Sequence, residues 1–179
     1  MHLFEKKKSS ETIYNGRIFT VTKDTVELEN NTQADREVVH HNGGVCVIPI
    51  TDDGCILMVK QFRYPMGEAI LEIPAGKLEP NENHFEAGKR ELLEETGNEC
   101  SEYTFLGKVY PTPAYVTENI YMYLAKGLTY KGQNLDSDEF LDVVKLPIRE
   151  AFEKVMSGEI KDSKTQIGVL KAYYILNKD

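Results

Sequence analysis

Cysteine is scarce in this chain. The three that occur, Cys46, Cys55 and Cys100, cannot all pair and are not spaced as metal ligands. Cys46 and Cys55 fall in apolar, strand-like runs, where a free thiol behaves as a small hydrophobe. A reducing, cytoplasmic setting is the expectation. Long apolar runs are missing too: no stretch approaches the ~18 residues of a membrane span, and the opening residues Met1 to Glu5 hold no apolar core of signal-peptide length. A soluble protein with no membrane partner is expected. Basic residues are in deficit, 21 Lys and Arg against 29 Asp and Glu, for a formal charge of −8. That argues against nucleic acid as a partner, because phosphate backbones are held mainly by clustered Lys and Arg. The one basic run, Lys6-Lys7-Lys8, reads as a solvated strand end. An anionic small substrate stays open, since a bound divalent cation reverses the field of an acidic site. Internal repeats and low-complexity tracts are absent.

What remains is an ordinary globular composition, 41% hydrophobic over 179 residues, enough for one domain with a small appendage. Residues 1–41 read as a β subdomain, with β-leaning pieces at 13–14, 18–21 and 25–28 and turns at Asn15-Gly16 and Glu29-Asn30-Asn31. Large apolar residues are few there, so this small antiparallel sheet must lean on the main domain or on a second subunit. From residue 42 to 179 the character changes. Two nearly continuous apolar runs, Val45–Ile50 and Ile56–Val59, flank Asp52-Asp53-Gly54 and are predicted to form a tight hairpin of core strands. A strand over 69–73 ends at Pro74-Ala75-Gly76. A helix over 83–96, stopped by Gly97, comes next. Strands are expected at 102–110, 119–125 and 139–146. Pro147 opens a helix running to Ser157 with Gly158 as its cap, and a last helix covers 163–177. The fold class is α/β, a mixed sheet with helices packed on it.

The chemistry is concentrated between Gly76 and Gly97. Glu91, Glu94 and Glu95 are three and four apart and project from one side of the helix, within an arc of about 100°. Phe85 and Leu92 lie on the neighbouring face, suited to anchor the helix on the sheet. Carboxylates crowded in this way repel one another unless something positive sits among them. A hard divalent cation is the natural occupant, because it accepts carboxylates, carbonyl oxygens, water and substrate phosphates. Such an ion would draw charge from a diphosphate leaving group and lower the pKa of a bound water. The plain alternative is a solvated acidic helix face, which is common.

The spacing of the whole stretch decides between them. It resembles the Nudix box: Gly, five residues, Glu, seven residues, Arg-Glu, an aliphatic, any residue, Glu-Glu, any residue, Gly, an aliphatic. Gly76, Glu82, Arg90, Glu91, Leu92, Glu94, Glu95 and Gly97 meet it. Seven fixed positions would match by chance in roughly one such chain per million. Only Asn98, standing where the pattern has an aliphatic, departs. The likeness covers most of residues 14–176 and is closest to the ADP-ribose pyrophosphatase branch. It rests there on Gln61-Phe62-Arg63-Tyr64-Pro65, on Leu71-Glu72-Ile73-Pro74-Ala75-Gly76, and on Pro113, sixteen residues past Gly97. Ala114 stands where the branch's loop commonly has Gly.

This resemblance implies a Nudix fold, a mixed sheet sandwiched between helices, with the small N-terminal sheet as a subdomain. It implies Mg²⁺, with Mn²⁺ an option, held by Glu91, Glu95 and the Ala75 carbonyl. Glu82 is a further ligand or supporting group, and Glu94 another or, alternatively, the base; Arg90 orients the carboxylates. Glu118 is the expected catalytic base, with Glu94 and Glu139 as alternatives. For the substrate it implies Arg63 at the diphosphate, Arg17 and Ile18 at the adenosine, Glu79 within the box, and Arg36 and Glu37 from a second subunit of a domain-swapped homodimer. The implied reaction is hydrolysis of ADP-ribose, or a related nucleotide sugar, to AMP and ribose 5-phosphate. Another nucleoside diphosphate derivative, or a binding module without turnover, are the alternatives; the second would be expected to have lost a box glutamate, and all are present.

Overall fold

The computed structural model describes residues 2–135, 137 and 139–178. The chain divides into two compact units, Met1–Gly43 with Tyr110–Asn119, and Gly44–Val109 with Ile120–Asp179.

The first unit is an antiparallel sheet of β1 (Lys6–Asn15), β2 (Thr20–Glu27) and β3 (Gln33–His40), with β2 in the middle. Thr22, Asp24 and Val26 alternate inward along β2, and Val26 is the only buried apolar side chain of this unit among the described residues. Buried Asp24 is held by the Ser10 hydroxyl at 2.5 Å and Lys7 at 3.2 Å. The pieces expected at 18–21 and 25–28 overlap the two ends of one strand, β2, with Ile18 and Phe19 in the turn before it. Its partner β3, polar at alternate positions, was not marked by any apolar run. Residues 115–117 run beside β3: the Val39 N–H donates to the Tyr115 carbonyl at 2.8 Å, and the Thr117 N–H donates to the Val39 carbonyl at 2.9 Å.

The second unit contains β4 (Gly44–Pro49), β5 (Cys55–Arg63), β6 (Glu68–Glu72), β7 (Ala75–Lys77), α1 (His84–Thr96), β8 (Asn98–Val109), β9 (Ile120–Tyr130), β10 (Leu141–Pro147), α2 (Ile148–Met156) and α3 (Ser163–Leu176). They build two sheets, in the orders β7-β4-β9-β8 and β10-β5-β6; β4 and β9 are parallel and the other pairs antiparallel. β4 is buried at every residue because both its faces are covered. Val45 and Val47 pack with Ala87 and Leu92 of α1, whereas Cys46 and Ile48 join the larger core with Val169 and Ala172 of α3.

The hairpin expected of the two apolar runs forms only at its turn. The Thr51 N–H donates to the Cys55 carbonyl at 2.9 Å, and one bridge joins Ile50 to Ile56. Beyond it the strands part into different sheets. A run apolar on both faces demands cover on both, which a two-stranded ribbon does not supply and helices on either side do.

Helix α1 has the bounds its caps dictate. The Asn83 side chain accepts from the Phe85 N–H, and Gly97, at φ +73°, closes the end with its N–H on the Leu93 carbonyl. Leu92 is fully buried as expected, while Phe85 stays at the rim, edge-on to Tyr103 and Tyr123. No helix among the described residues is long and apolar enough to cross a membrane.

Candidate active site

The turn after β6 is pinned from two directions. The Val47 N–H donates to the Pro74 carbonyl at 2.9 Å, and the Ala75 N–H donates to the Glu95 carboxylate at 3.0 Å. Gly76 lies so close to α1 that a Cβ built on it would stand 1.8 Å from Glu91 Oε1. Glycine there lets the strand end and the acidic helix face touch.

Arg90 sits among the box carboxylates. Its guanidinium donates to Glu82 from Nε at 3.1 Å and to Glu94 at 2.7 Å, and it meets Glu91 at 2.9 Å. Part of the crowding that the sequence implied is thus relieved from within the helix. Burial works against the Arg90 charge, but these three acids outweigh it and raise its pKa. Glu82 also accepts the N–H of Glu79, whose residue is exposed. Glu91 and Glu95 are 7% and 2% exposed. Burial pushes Glu91 up to about 7 against the pull of Arg90, with Glu94 and Glu139 adding repulsion. Glu95 is pushed up to about 8 by burial, against the Ala75 N–H, with Glu91 and Glu139 adding to it.

Segment 131–134 closes the far end of α1. The Lys131 N–H donates to the Gly97 carbonyl at 2.7 Å, Asn134 to the Glu94 carbonyl at 3.1 Å, and the Gln133 side chain to the Glu95 carbonyl at 2.7 Å. Past it, Glu139 stands near enough for its charge to act on both Glu91 and Glu95. Glu139 and Phe140 also line, with Lys60, Gln61 and Phe62, an open pocket of about 370 Å³.

Arg63, at the end of β5, is engaged by an acid of its own sheet. Its Nε and one terminal nitrogen reach the two oxygens of Glu72 at 2.6 and 2.9 Å. Glu72 is 1% exposed and also takes Lys164 of α3, which pairs in turn with Asp162 at 3.0 Å. Burial pushes the Glu72 carboxyl up, but the two cations outweigh it and hold it below its ordinary value. Asp162 caps α3 by accepting the Thr165 N–H, and the Thr165 hydroxyl accepts the Ile73 N–H at 2.9 Å. Neither Glu72 nor Lys164 stood out as a site residue in the sequence. They are 92 positions apart, and no local pattern links them.

The other expected site residues belong to the first unit. Arg17 and Ile18 are exposed in the turn between β1 and β2. Arg36 pairs with both oxygens of Glu5 at 2.9 and 2.6 Å, and Glu37 is exposed beside it on β3. Glu118 lies 3.6 Å from His41 Nδ1. That nitrogen accepts the Gly43 N–H at 3.0 Å, so it has no proton to give Glu118 while that bond is made.

The donor chemistry suits a hard divalent cation. Glu91 and Glu95 offer buried carboxylate oxygens, and burial pushes both groups above the ordinary carboxylate range. Glu82 and Glu94 are drawn to Arg90, and among the described residues no three His, Cys, Asp or Glu side chains form a closed ligand set. Water and substrate oxygens would complete the coordination.

Known proteins bear on this geometry. The family described as NUDIX domain matches residues 40–165, and the nucleoside diphosphate sugar hydrolase N-terminal domain matches residues 5–39. A methanol dehydrogenase activator of Bacillus methanolicus is 44% identical over 170 residues, covering 93% of this chain and 92% of that protein. An ADP-ribose pyrophosphatase of Bacillus subtilis is 38% identical over 169 residues, covering 93% and 91%. The crystal structure of an ADP compounds hydrolase superposes with a TM-score of 0.85 at 22% identity, covering 97% of this chain and 96% of that one, a likeness of fold.

Proposed function

This chain belongs to the Nudix hydrolase family, and from that premise we propose that it hydrolyses the diphosphate of ADP-ribose, or of a closely related nucleoside diphosphate sugar, giving AMP and ribose 5-phosphate. The observation that carries the reading is the pair of buried carboxylates, Glu91 and Glu95, held against the Ala75-Gly76 strand end. The relative named an ADP-ribose pyrophosphatase and the match of residues 5–39 to a nucleoside diphosphate sugar hydrolase domain support the choice of substrate.

Hydrolases of this family act with a divalent cation, here Mg²⁺ or alternatively Mn²⁺, which would neutralise diphosphate charge and acidify a water. Glu91, Glu95 and the Ala75 carbonyl would hold it, with Glu82 and Glu94 in support. Arg90 keeps those carboxylates apart and oriented. For the base we favour Glu139 over the alternatives. Its charge reaches both buried acids, whereas Glu94 is tied to Arg90 and Glu118 stands 3.6 Å from His41. Arg63 would take the diphosphate, and Arg17, Ile18 and Glu79 the rest of the nucleotide sugar. Arg36 and Glu37 would reach a partner's site in a homodimer that exchanges its N-terminal sheets. Ile13, Tyr14, Ile18 and Phe19 support that reading: they are apolar and exposed on β1 and the turn after it. Three free cysteines fit a reducing cytoplasm.

The test is AMP release from ADP-ribose by the purified protein with Mg²⁺ and with EDTA, beside ADP-glucose and ATP. Cation-dependent release preferring ADP-ribose, lost in Glu95→Gln, is expected. Preference for another of the three would overturn the substrate, and full activity in the variant would overturn the site. The 44% identity to a methanol dehydrogenase activator favours a second reading, that the chain acts on such a dehydrogenase. Adding wild type and Glu95→Gln to a methanol dehydrogenase assay separates the two. Activation by wild type alone would tie it to hydrolysis, activation by both would tie it to binding, and activation by neither would remove the second reading.

A further inference from the structure

Glu72 has one more cation than a buried carboxylate needs. It is 1% exposed and receives both Arg63 and Lys164. The two cations differ in freedom. The Arg63 side chain is 40% exposed at the end of β5, whereas Lys164 is 11% exposed and fixed in the first turn of α3. That turn is anchored independently: Asp162 pairs with Lys164 and accepts the Thr165 N–H, and the Thr165 hydroxyl accepts the N–H of Ile73, the residue after Glu72. Arg63 also feels the charges of Glu95 and Asp162, so more than one acid lies within its electrostatic reach.

We propose that Lys164 is a standby counter-ion: it keeps Glu72 neutralised when Arg63 leaves that carboxylate for the substrate diphosphate. This rests on the assignment of Arg63 to the diphosphate made above. Removing the partner of a buried ion strands its charge, which is strongly unfavourable. With Arg63 alone, Glu72 would oppose every binding event. With Lys164 in place, the guanidinium exchanges one anion for another and the interior keeps its balance. In the free protein Glu72 holds Arg63 by two hydrogen bonds, and the exposed cation is the one released. Lys164 is thus a positioning residue that acts through Glu72.

The test is the steady-state kinetics of ADP-ribose hydrolysis with Mg²⁺, with folding checked by circular dichroism. Lys164→Gln should raise KM about ten-fold or more with kcat little changed, because Arg63 is then locked onto Glu72. Lys164→Arg should stay near wild type. The decisive variant is the double Glu72→Gln, Lys164→Gln, which removes the charge that would be stranded. Its KM should return to within about three-fold of wild type. A double variant no better than Lys164→Gln, or an unchanged KM in Lys164→Gln, overturns the proposal. Should Lys164→Gln not fold, Glu72→Gln alone decides: KM at or below wild type is expected, and a ten-fold rise would show that bound Arg63 still needs Glu72. An unchanged KM in Arg63→Gln removes the diphosphate assignment, and with it this proposal, while leaving the hydrolase reading intact.

Discussion

Glu95 accepts the Ala75 N–H at 3.0 Å, so the backbone that opens the box is joined to the last acid of its helix. The bond has a chemical consequence. It satisfies one oxygen of Glu95 with a neutral donor and leaves most of the charge unmet in a buried place. Glu91, four residues earlier, shares that place but has Arg90 beside it.

Stability without a cation should therefore fall as pH rises. Glu91 and Glu95 have folded-state pKa values of about 7 and about 8, above the ordinary 4.5. A carboxyl raised in this way contributes stability that is fully present below the unfolded value and is lost as pH climbs through the folded one. In EDTA the melting temperature should drop between about pH 5 and about pH 8. Mg²⁺ should restore more of it at the upper end, since the ion binds the ionised acids. Thermal melts with and without Mg²⁺ check this. A cation-free melting temperature that is flat, or equally sloped in Glu95→Gln, would contradict it.

Gly76→Ala separates placement from folding. The three atoms nearest the added Cβ would be the carboxylate end of Glu91, at 1.8 to 2.4 Å, the far end of a flexible side chain. Activity should fall by about a hundred-fold or more, because a displaced ligand is a displaced substrate. The melting temperature should change little. Loss of fold and activity together would mean that Gly76 serves packing alone.

The choice of base is open to a direct comparison. Glu139→Gln should lower kcat by about a hundred-fold or more while leaving KM within a few-fold. Glu118→Gln should have the smaller effect on kcat. The reverse order would return the role to Glu118.

Much of this site was legible because its signals are local. Asn83 and Gly97 bound α1 through side-chain and left-handed caps, which a sequence displays directly. Box spacing brings Arg90 among Glu82, Glu91 and Glu94. Asn98, in place of an aliphatic, is buried at the start of β8 with its side chain donating to the Thr96 carbonyl at 2.8 Å. Partnership between distant segments was harder to see. Two runs apolar on both faces say that they are buried, not which strand lies beside them, so the hairpin of β4 and β5 was expected to extend beyond its turn. The reach of Glu139 to Glu91 and Glu95 joins segments far apart in the chain, and the tie between Lys164 and Glu72 depends on where α3 begins. Neither has a spacing to read.

The ladder between Val39 and residues 115–117 also bears on how this protein can be cut. The small sheet looks, in sequence order, like an appendage to be trimmed at residue 41. Yet the Tyr115 carbonyl and the Thr117 N–H both depend on Val39 for their partner, and His41 gives its N–H to the Thr117 hydroxyl at 2.9 Å. Trimming would unstitch the loop that carries Pro113 and Glu118, some seventy residues downstream of the cut. A shortened chain would be an enzyme with a frayed loop, and an added tag or fused partner is better placed on an end than in place of this sheet.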